Sequence, residues 1–260
     1  MPDQPHVLVT NDDGIDTTGL HVLVDALEPV AEVTVVAPME DQSGTGRTNS
    51  YRVTVDEYDH GFAVDGKPAD CIAVGLRGLD ADIDCVVAGI NPGPNLGWQT
   101  VGRSGTVGAA AEAAFLGVPA MAVSLYDPEV GIREFEASEF EPVGDLAAAI
   151  LPRIVGGVPG GDYLNVVSPA GGGDVVFTDP SGGYDIRAAW DGQHLDLENA
   201  LYDPILPGNT QEPEPGTDIA ACGEAKTSVS ALCVQSAGGD RAALSDALDD
   251  LPSAPRKQQG

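Results

Sequence analysis

Lysine is almost missing from this chain. Only Lys67, Lys226 and Lys257 occur among 260 residues, and all bases together number 12 against 41 acids, a formal net charge of −29. A surface this negative repels nucleic acid polymers and anionic membranes. The acids are spread along the chain instead of forming one tail. That distribution fits adaptation to molar salt, where a Debye length of ~3 Å screens self-repulsion. Long apolar runs are also absent. Nothing approaches the ~18 residues of a membrane span, and the first residues carry no apolar signal segment. A cytoplasmic protein without a membrane partner is expected.

Other absences narrow the chemistry. The four cysteines, Cys71, Cys85, Cys222 and Cys233, form no C-x-x-C pair, so buried free thiols are expected instead of a disulfide or zinc framework. The histidines are scattered and no H-E-x-x-H occurs, which argues against a zinc hydrolase. There is no Walker A loop and no glycine fingerprint after the first strand. The aspartates of interest are adjacent, which disfavours an aspartyl-phosphate enzyme of the D-x-D type.

What is present begins with HVLVT (6–10), a short β-branched run, followed by Leu20, Leu23, Val24 and Leu27 at helical spacing and by EVTVVAP (32–38). Strand, helix and strand in about thirty residues make a βαβ unit, which requires a parallel sheet and an α/β fold. Asp16, Thr17 and Thr18 offer caps for the helix. A hairpin is expected near 51–55 and 62–64, a helix from Pro68, a buried strand at 84–89, a helix through Val107, Ala110, Ala111 and Ala114, a strand at 120–125, and a helix marked by Leu146, Ile150 and Ile154. Past Gly160 the pattern weakens. YLNVVSP, DVVFT and GGYDIRAAW read as strands, the proline-rich 202–218 as a connection, and RAALSDALDDL as a terminal helix. The expected division is a core over 1–155 and an irregular C-terminal extension over 156–260, partly packed on the core.

Ligands in open parallel sheets bind beyond the carboxyl ends of the strands. Three polar loops leave such ends: 11–14, 40–46 and 90–106. The first carries Asp12 and Asp13, two adjacent acids that repel unless something positive joins them, and Gly14, which lets a ligand approach the backbone. Paired carboxylates with Ser43 and Asn91 oxygens from the other two loops suit a hard cation, Mg²⁺ or Mn²⁺. Each of these residues also serves as an ordinary cap or turn. The third loop ends in RSGT at a helix start, where free N–H groups and the Ser104 and Thr106 hydroxyls can take an anion. A metal site beside an anion cradle implies phosphoryl transfer to a metal-held water. Trp98 and Tyr126 are candidates for stacking on a base, with core packing the alternative for each.

In this order and spacing, LVTNDDGI, VVAP followed by SGTG, GKPADCI, VAGINPGPNLG and SGTVGAAAEAAFLGVPAMAVSL resemble the SurE family of metal-dependent nucleotidases. They cover most of residues 6–125, and TDIAACGEAKTSVSAL (217–232) faintly resembles the family's C-terminal segment. The resemblance implies a Rossmann-like three-layer core and hydrolysis of nucleoside monophosphates. It implies one divalent cation per subunit on Asp12, Asp13, Ser43 and Asn91, with Asn95, Ser104, Gly105 and Thr106 at the phosphate. It further implies a homodimer, alone or as a dimer of dimers, that exchanges C-terminal elements. Two departures stand out. Where the family commonly has Arg before the metal-binding serine this chain has Gln42, and where it commonly has an aromatic residue or His before SGT this chain has Arg103. We expect Arg103 to supply at the phosphate the positive charge missing at position 42. The alternative is a non-catalytic nucleotide- or anion-binding protein on the same fold.

Overall fold

The computed structural model describes residues 4–157, 161–182, 186–199 and 212–234. The strands are β1 (His6–Thr10), β2 (Glu32–Pro38), β3 (Val55–Tyr58), β4 (Gly61–Val64), β5 (Cys85–Asn91), β6 (Ala120–Tyr126), β7 (Asp162–Pro169), β8 (Val175–Phe177), β9 (Ile186–Trp190), β10 (Leu195–Asn199) and β11 (Thr227–Cys233). The helices are α1 (Thr18–Leu27), α2 (Pro68–Ala73, continued by a π turn to Gly78), α3 (Gly97–Val101), α4 (Gly105–Phe115), α5 (Ala137–Gly157) and α6 (Asp218–Gly223). Nine strands form one sheet in the order β3-β4-β2-β1-β5-β6-β7-β11-β8. All neighbours are parallel except β3 with β4 and β7 with β11. The expected α/β fold with a mainly parallel sheet is therefore observed.

Burial follows from this topology. Strands β5 and β6 have helices on both faces and read as continuous apolar runs, with every residue of β6 buried. On one face Leu20, Leu23 and Leu27 of α1 join Val143, Ala147 and Leu151 of α5 over Val7, Val9, Val87 and Val123. On the other face the alanines of α4 and Cys71 and Ile72 of α2 cover Leu8, Val36, Val86 and Ala122. Small side chains let α4 lie close to the sheet, and Gly19 brings α1 onto the Ile90 carbonyl, where an added Cβ would stand 2.2 Å from the oxygen.

Several local expectations change. The hairpin is observed, with its first strand shifted to Val55–Tyr58. Helix α5 runs from Ala137 through Pro142 and Pro152, much longer than the apolar spacing at 146–154 suggests. Thr17 is the N-cap of α1, yet its hydroxyl donates to the Gly14 carbonyl (2.8 Å) and accepts no N–H from the helix. Residue 155 lies in α5, and beyond it β7 pairs with β6 while β11 and β8 continue the same layer. The expected terminal helix (241–251) and most of the proline-rich connection lie outside the described residues.

Candidate active site

Strand order reverses around β1, since β2 lies on one side of it and β5 on the other. The loops leaving the carboxyl ends of β1, β2 and β5 meet there, as expected for a switch point of a parallel sheet. They enclose a cleft of ≈ 370 Å³ lined by Asp12, Asp13, Ser43, Asn91, Asn95, Arg103 and Ser104, among others. Seven of the nine residues expected at the site thus reach one cavity. Gly105 and Thr106 stand behind Asp12 instead. The Gly105 N–H donates to Asp12 Oδ2 (3.1 Å), and the Thr106 hydroxyl donates to Asp12 Oδ1. Thr106 is completely buried, so its hydroxyl serves the carboxylate and not a ligand in the cleft. Glycine is required at position 105, because a Cβ there would lie 2.7 Å from the Cβ of Asp12.

Backbone bonds fix the loops to one another. Gln42 N–H donates to the Asp12 carbonyl (2.7 Å) and Gly46 N–H to the Arg103 carbonyl (2.9 Å). The Asn11 side chain closes the turn before Gly14, donating to the Gly14 carbonyl (2.8 Å) and accepting its N–H (3.2 Å). Asn91 spends its amide nitrogen on the Gly93 carbonyl (2.7 Å), leaving its side-chain oxygen as the acceptor. Asn95 donates one N–H to Ser124 Oγ (2.8 Å) and keeps the second. Ser104 caps α4, its hydroxyl accepting from Val107 N–H (3.1 Å). The Gly97 end of this loop is held by Asp218, whose carboxylate also accepts from Ser181 and Ile219.

The electrostatics of the pair are adverse without a cation. Burial holds the Asp12 carboxyl above its usual range, opposed by the hydrogen bonds from Thr106 and Gly105. Burial, together with the charges of Asp12 and Asp41, pushes Asp13 up to about 7. Neither carboxylate has an ion-pair partner among the described residues. Among those residues no cluster of three or more His, Cys, Asp or Glu side chains is set to hold a metal. What the cleft offers is two carboxylates supplemented by neutral Ser and Asn oxygens, a hard donor set that fits Mg²⁺ or Mn²⁺ better than zinc.

Two residues were not legible as cleft neighbours. Asp41 accepts from both the N–H and the hydroxyl of Ser43 (2.8 and 2.7 Å); its spacing two residues before Ser43 is the signal for such a turn. Ile132 comes from the loop after β6, a fourth strand end that the rule about carboxyl ends also covers. Of the two aromatic candidates, Tyr126 is fully buried and donates its hydroxyl to the Cys222 carbonyl (2.8 Å), so core packing is its role. Trp98 is 56% exposed on α3 and does not line the cleft.

Fold and site define a class: doubly wound α/β proteins with an acidic, oxygen-lined cleft at the switch point, facing a helix N-terminus. Within that class the chain matches the family model "Survival protein SurE" over residues 7–182, and it belongs to that family. It is 45% identical over 237 residues to the 5'-nucleotidase SurE of Halobacterium salinarum, covering 88% of this chain and 92% of the other. It is 44% identical over 236 residues to the protein of the same name from Natronomonas pharaonis, covering 87% and 91%. Among solved structures it resembles the SurE protein from Aquifex aeolicus, with a TM-score of 0.76, 27% identity and coverage of 94% and 99%. No helix among the described residues is long and apolar enough to cross a membrane.

Proposed function

We propose that this protein is a 5'-nucleotidase that hydrolyses nucleoside monophosphates to nucleoside and phosphate. One observation carries the reading: the adjacent carboxylates of Asp12 (buried) and Asp13 (half-buried) and the N-cap of α4 open on the same cleft. Relatives named 5'-nucleotidase SurE, similar over nine-tenths of their length, support it.

In this reading Asp12, Asp13, Ser43 and Asn91 hold one divalent cation per subunit, Mg²⁺ or Mn²⁺. When bound, it offsets the two carboxylates and acidifies a water for attack. The chain's own residues do the positioning. Asp12 is oriented before substrate arrives by Gly105 and Thr106, which act at the phosphate only through it. The second N–H of Asn95 and the hydroxyl of Ser104, the N-cap of α4, face the cleft where phosphoryl oxygens would sit. Arg103 brings a guanidinium that can hold two of them at once and stays charged at any working pH. Water adds to phosphorus as the P–O ester bond breaks; one proton of that water ends on the departing oxygen, giving the nucleoside hydroxyl, and the other stays on the released phosphate. The family relationship also supports a cytoplasmic homodimer, or a dimer of dimers, with exchanged C-terminal elements. Light scattering in molar KCl measures that assembly.

Phosphate release from AMP with Mn²⁺ or Mg²⁺ in molar KCl tests the proposal. Turnover that vanishes on chelation is expected. Saturable AMP binding without release would establish a binding protein instead.

A further inference from the structure

Beside the cleft lies a second cavity of ≈ 620 Å³, within the range of small-molecule sites. The two share Asp13, Pro92 and Ile132. The further walls of the second include Thr17 and Thr18 at the start of α1, Asp41, Glu134, and the Phe135 and Phe140 rings. The cavities differ in charge. The first holds Arg103, the N-cap of α4, and Asp12 and Asp13, the pair proposed to take the cation. The second holds Asp41 and Glu134, while its Arg133 is engaged by Asp127 and Glu139. With the proposed cation on Asp12 and Asp13, a phosphate dianion is attracted by the first and repelled by the second. An uncharged nucleoside, with hydroxyl and amino donors for carboxylates, suits the second.

Ile132 stands on the boundary, 60% exposed. Its exposure is not the slack of a loose loop. Asp127 and Gly131 exchange backbone hydrogen bonds (3.0 and 2.8 Å). The Arg133 guanidinium bonds Asp127 and Glu139 and lies 4.3 Å from the centroid of the Phe135 ring. The braced loop keeps this branched aliphatic side chain over the join of the two cavities, where a ligand packing against it gains the burial of its surface.

We infer that the nucleoside half of the substrate occupies this second cavity, and that Ile132 is a specificity-determining residue that packs against it. The inference rests on the phosphomonoesterase reading for the position of the phosphate. It assigns the chain two separable subsites, one for the charged and one for the neutral half of a nucleotide.

The test compares AMP with methyl phosphate, which lacks the nucleoside. kcat and KM are measured in molar KCl with Mn²⁺ for the wild type, Ile132→Ala and Thr18→Phe. Both substituted positions are exposed, so folding is not at stake. Ile132→Ala removes contact with the nucleoside, and KM for AMP should rise about tenfold, the scale of a lost aliphatic contact. Thr18→Phe fills the cavity from the opposite wall and should raise it at least as much. For Thr18→Phe, which lies outside the phosphate cleft, kcat for AMP should stay within about twofold, the mark of uniform binding, and kcat/KM for methyl phosphate should not move. An unchanged KM for AMP in both variants, or equal losses on both substrates, overturns the inference. If the wild type hydrolyses neither substrate, the phosphatase reading fails separately. Calorimetric binding of adenosine to the same three proteins then decides: weaker binding by the variants upholds the cavity, and equal binding overturns it.

Discussion

Asp12 is 3% exposed and accepts hydrogen bonds from Gly105 and Thr106, whereas Asp56 and Glu57 on β3 lie in solvent. The same functional group does different work in the two places. In the cleft each carboxylate is positioned, desolvated and set against a neighbour, so its charge matters individually. On the surface the acids act only through their sum, the −29 formal charge, and each is screened by salt. Composition alone displays the second set and hides the first.

The sharpest way to probe this contrast is to neutralise a cleft acid. Asp12→Asn and Asp13→Asn should each lower kcat/KM for AMP by ~10³ or more, since an amide cannot offset a cation or orient attack with charge. Melting temperatures should change little. Near-normal turnover in either variant at saturating metal would remove the paired-carboxylate site.

Arg103→Ala comes next, with an expected loss of ~10² in kcat/KM, the size of a lost transition-state donor. Metal affinity should be nearly unaffected, and Gln42→Arg in that background should recover part of the loss. An Arg103→Ala enzyme within about threefold of wild type would make this arginine another surface charge.

Thr106→Val keeps the shape of the buried side chain and deletes the hydroxyl that orients Asp12. Loss of an outer partner of a metal-binding carboxylate costs ~10–100-fold in metal affinity or activity. Mn²⁺ titration by electron paramagnetic resonance reads this directly. Unchanged affinity would mean that Asp12 is oriented without Thr106.

A smaller effect is expected from pH. The folded-state value of Asp13 is raised to about 7, above the ~3.9 of an unfolded chain. Its contribution to stability is therefore complete below about pH 4 and is lost as pH rises through 7. A cation competes with that proton, so the rise in Tm on adding Mn²⁺ should be slight at pH 5 and level off above about 7. A rise independent of pH would place Asp13 outside the cation's reach.

The surface should respond least per group. Asp56→Asn should leave both activity and Tm unaltered in molar KCl. Diluting KCl to ~0.1 M lengthens the Debye length to ~10 Å and should lower Tm through the summed repulsion. A flat curve would separate the acidic surface from salt adaptation.

The parts of the molecule readable in the sequence are those that local pattern encodes. Apolar runs gave β1, β2, β5 and β6, and the polar loops after three of them gave the cleft. Lost to that reading were features fixed at long range. The early turns of α5, from Ala137 through Pro142, precede the apolar spacing that marks the helix, and packing of Phe140 and Val143 in the core holds them. Thr106 looked like an anion donor because it opens a helix, and only the approach of Asp12 from another loop shows where its hydroxyl goes. Ile132 follows a strand whose carboxyl end lies at the same edge of the sheet, yet a lone aliphatic residue in a loop carries no polar signal.

The position of β11 has a consequence for synthesis. It lies between β7 and β8, antiparallel to the first and parallel to the second. A ribosome releases β7 (ending at Pro169) well before β11 (beginning at Thr227). At ~5–20 residues per second, the β7 edge waits several seconds with its N–H and C=O groups unpaired. Such an edge is a template for pairing with another nascent chain. The β7 edge is therefore closed last, by β11, which also brings β8 into the sheet, and a chain stopped before residue 227 would leave that edge unpaired.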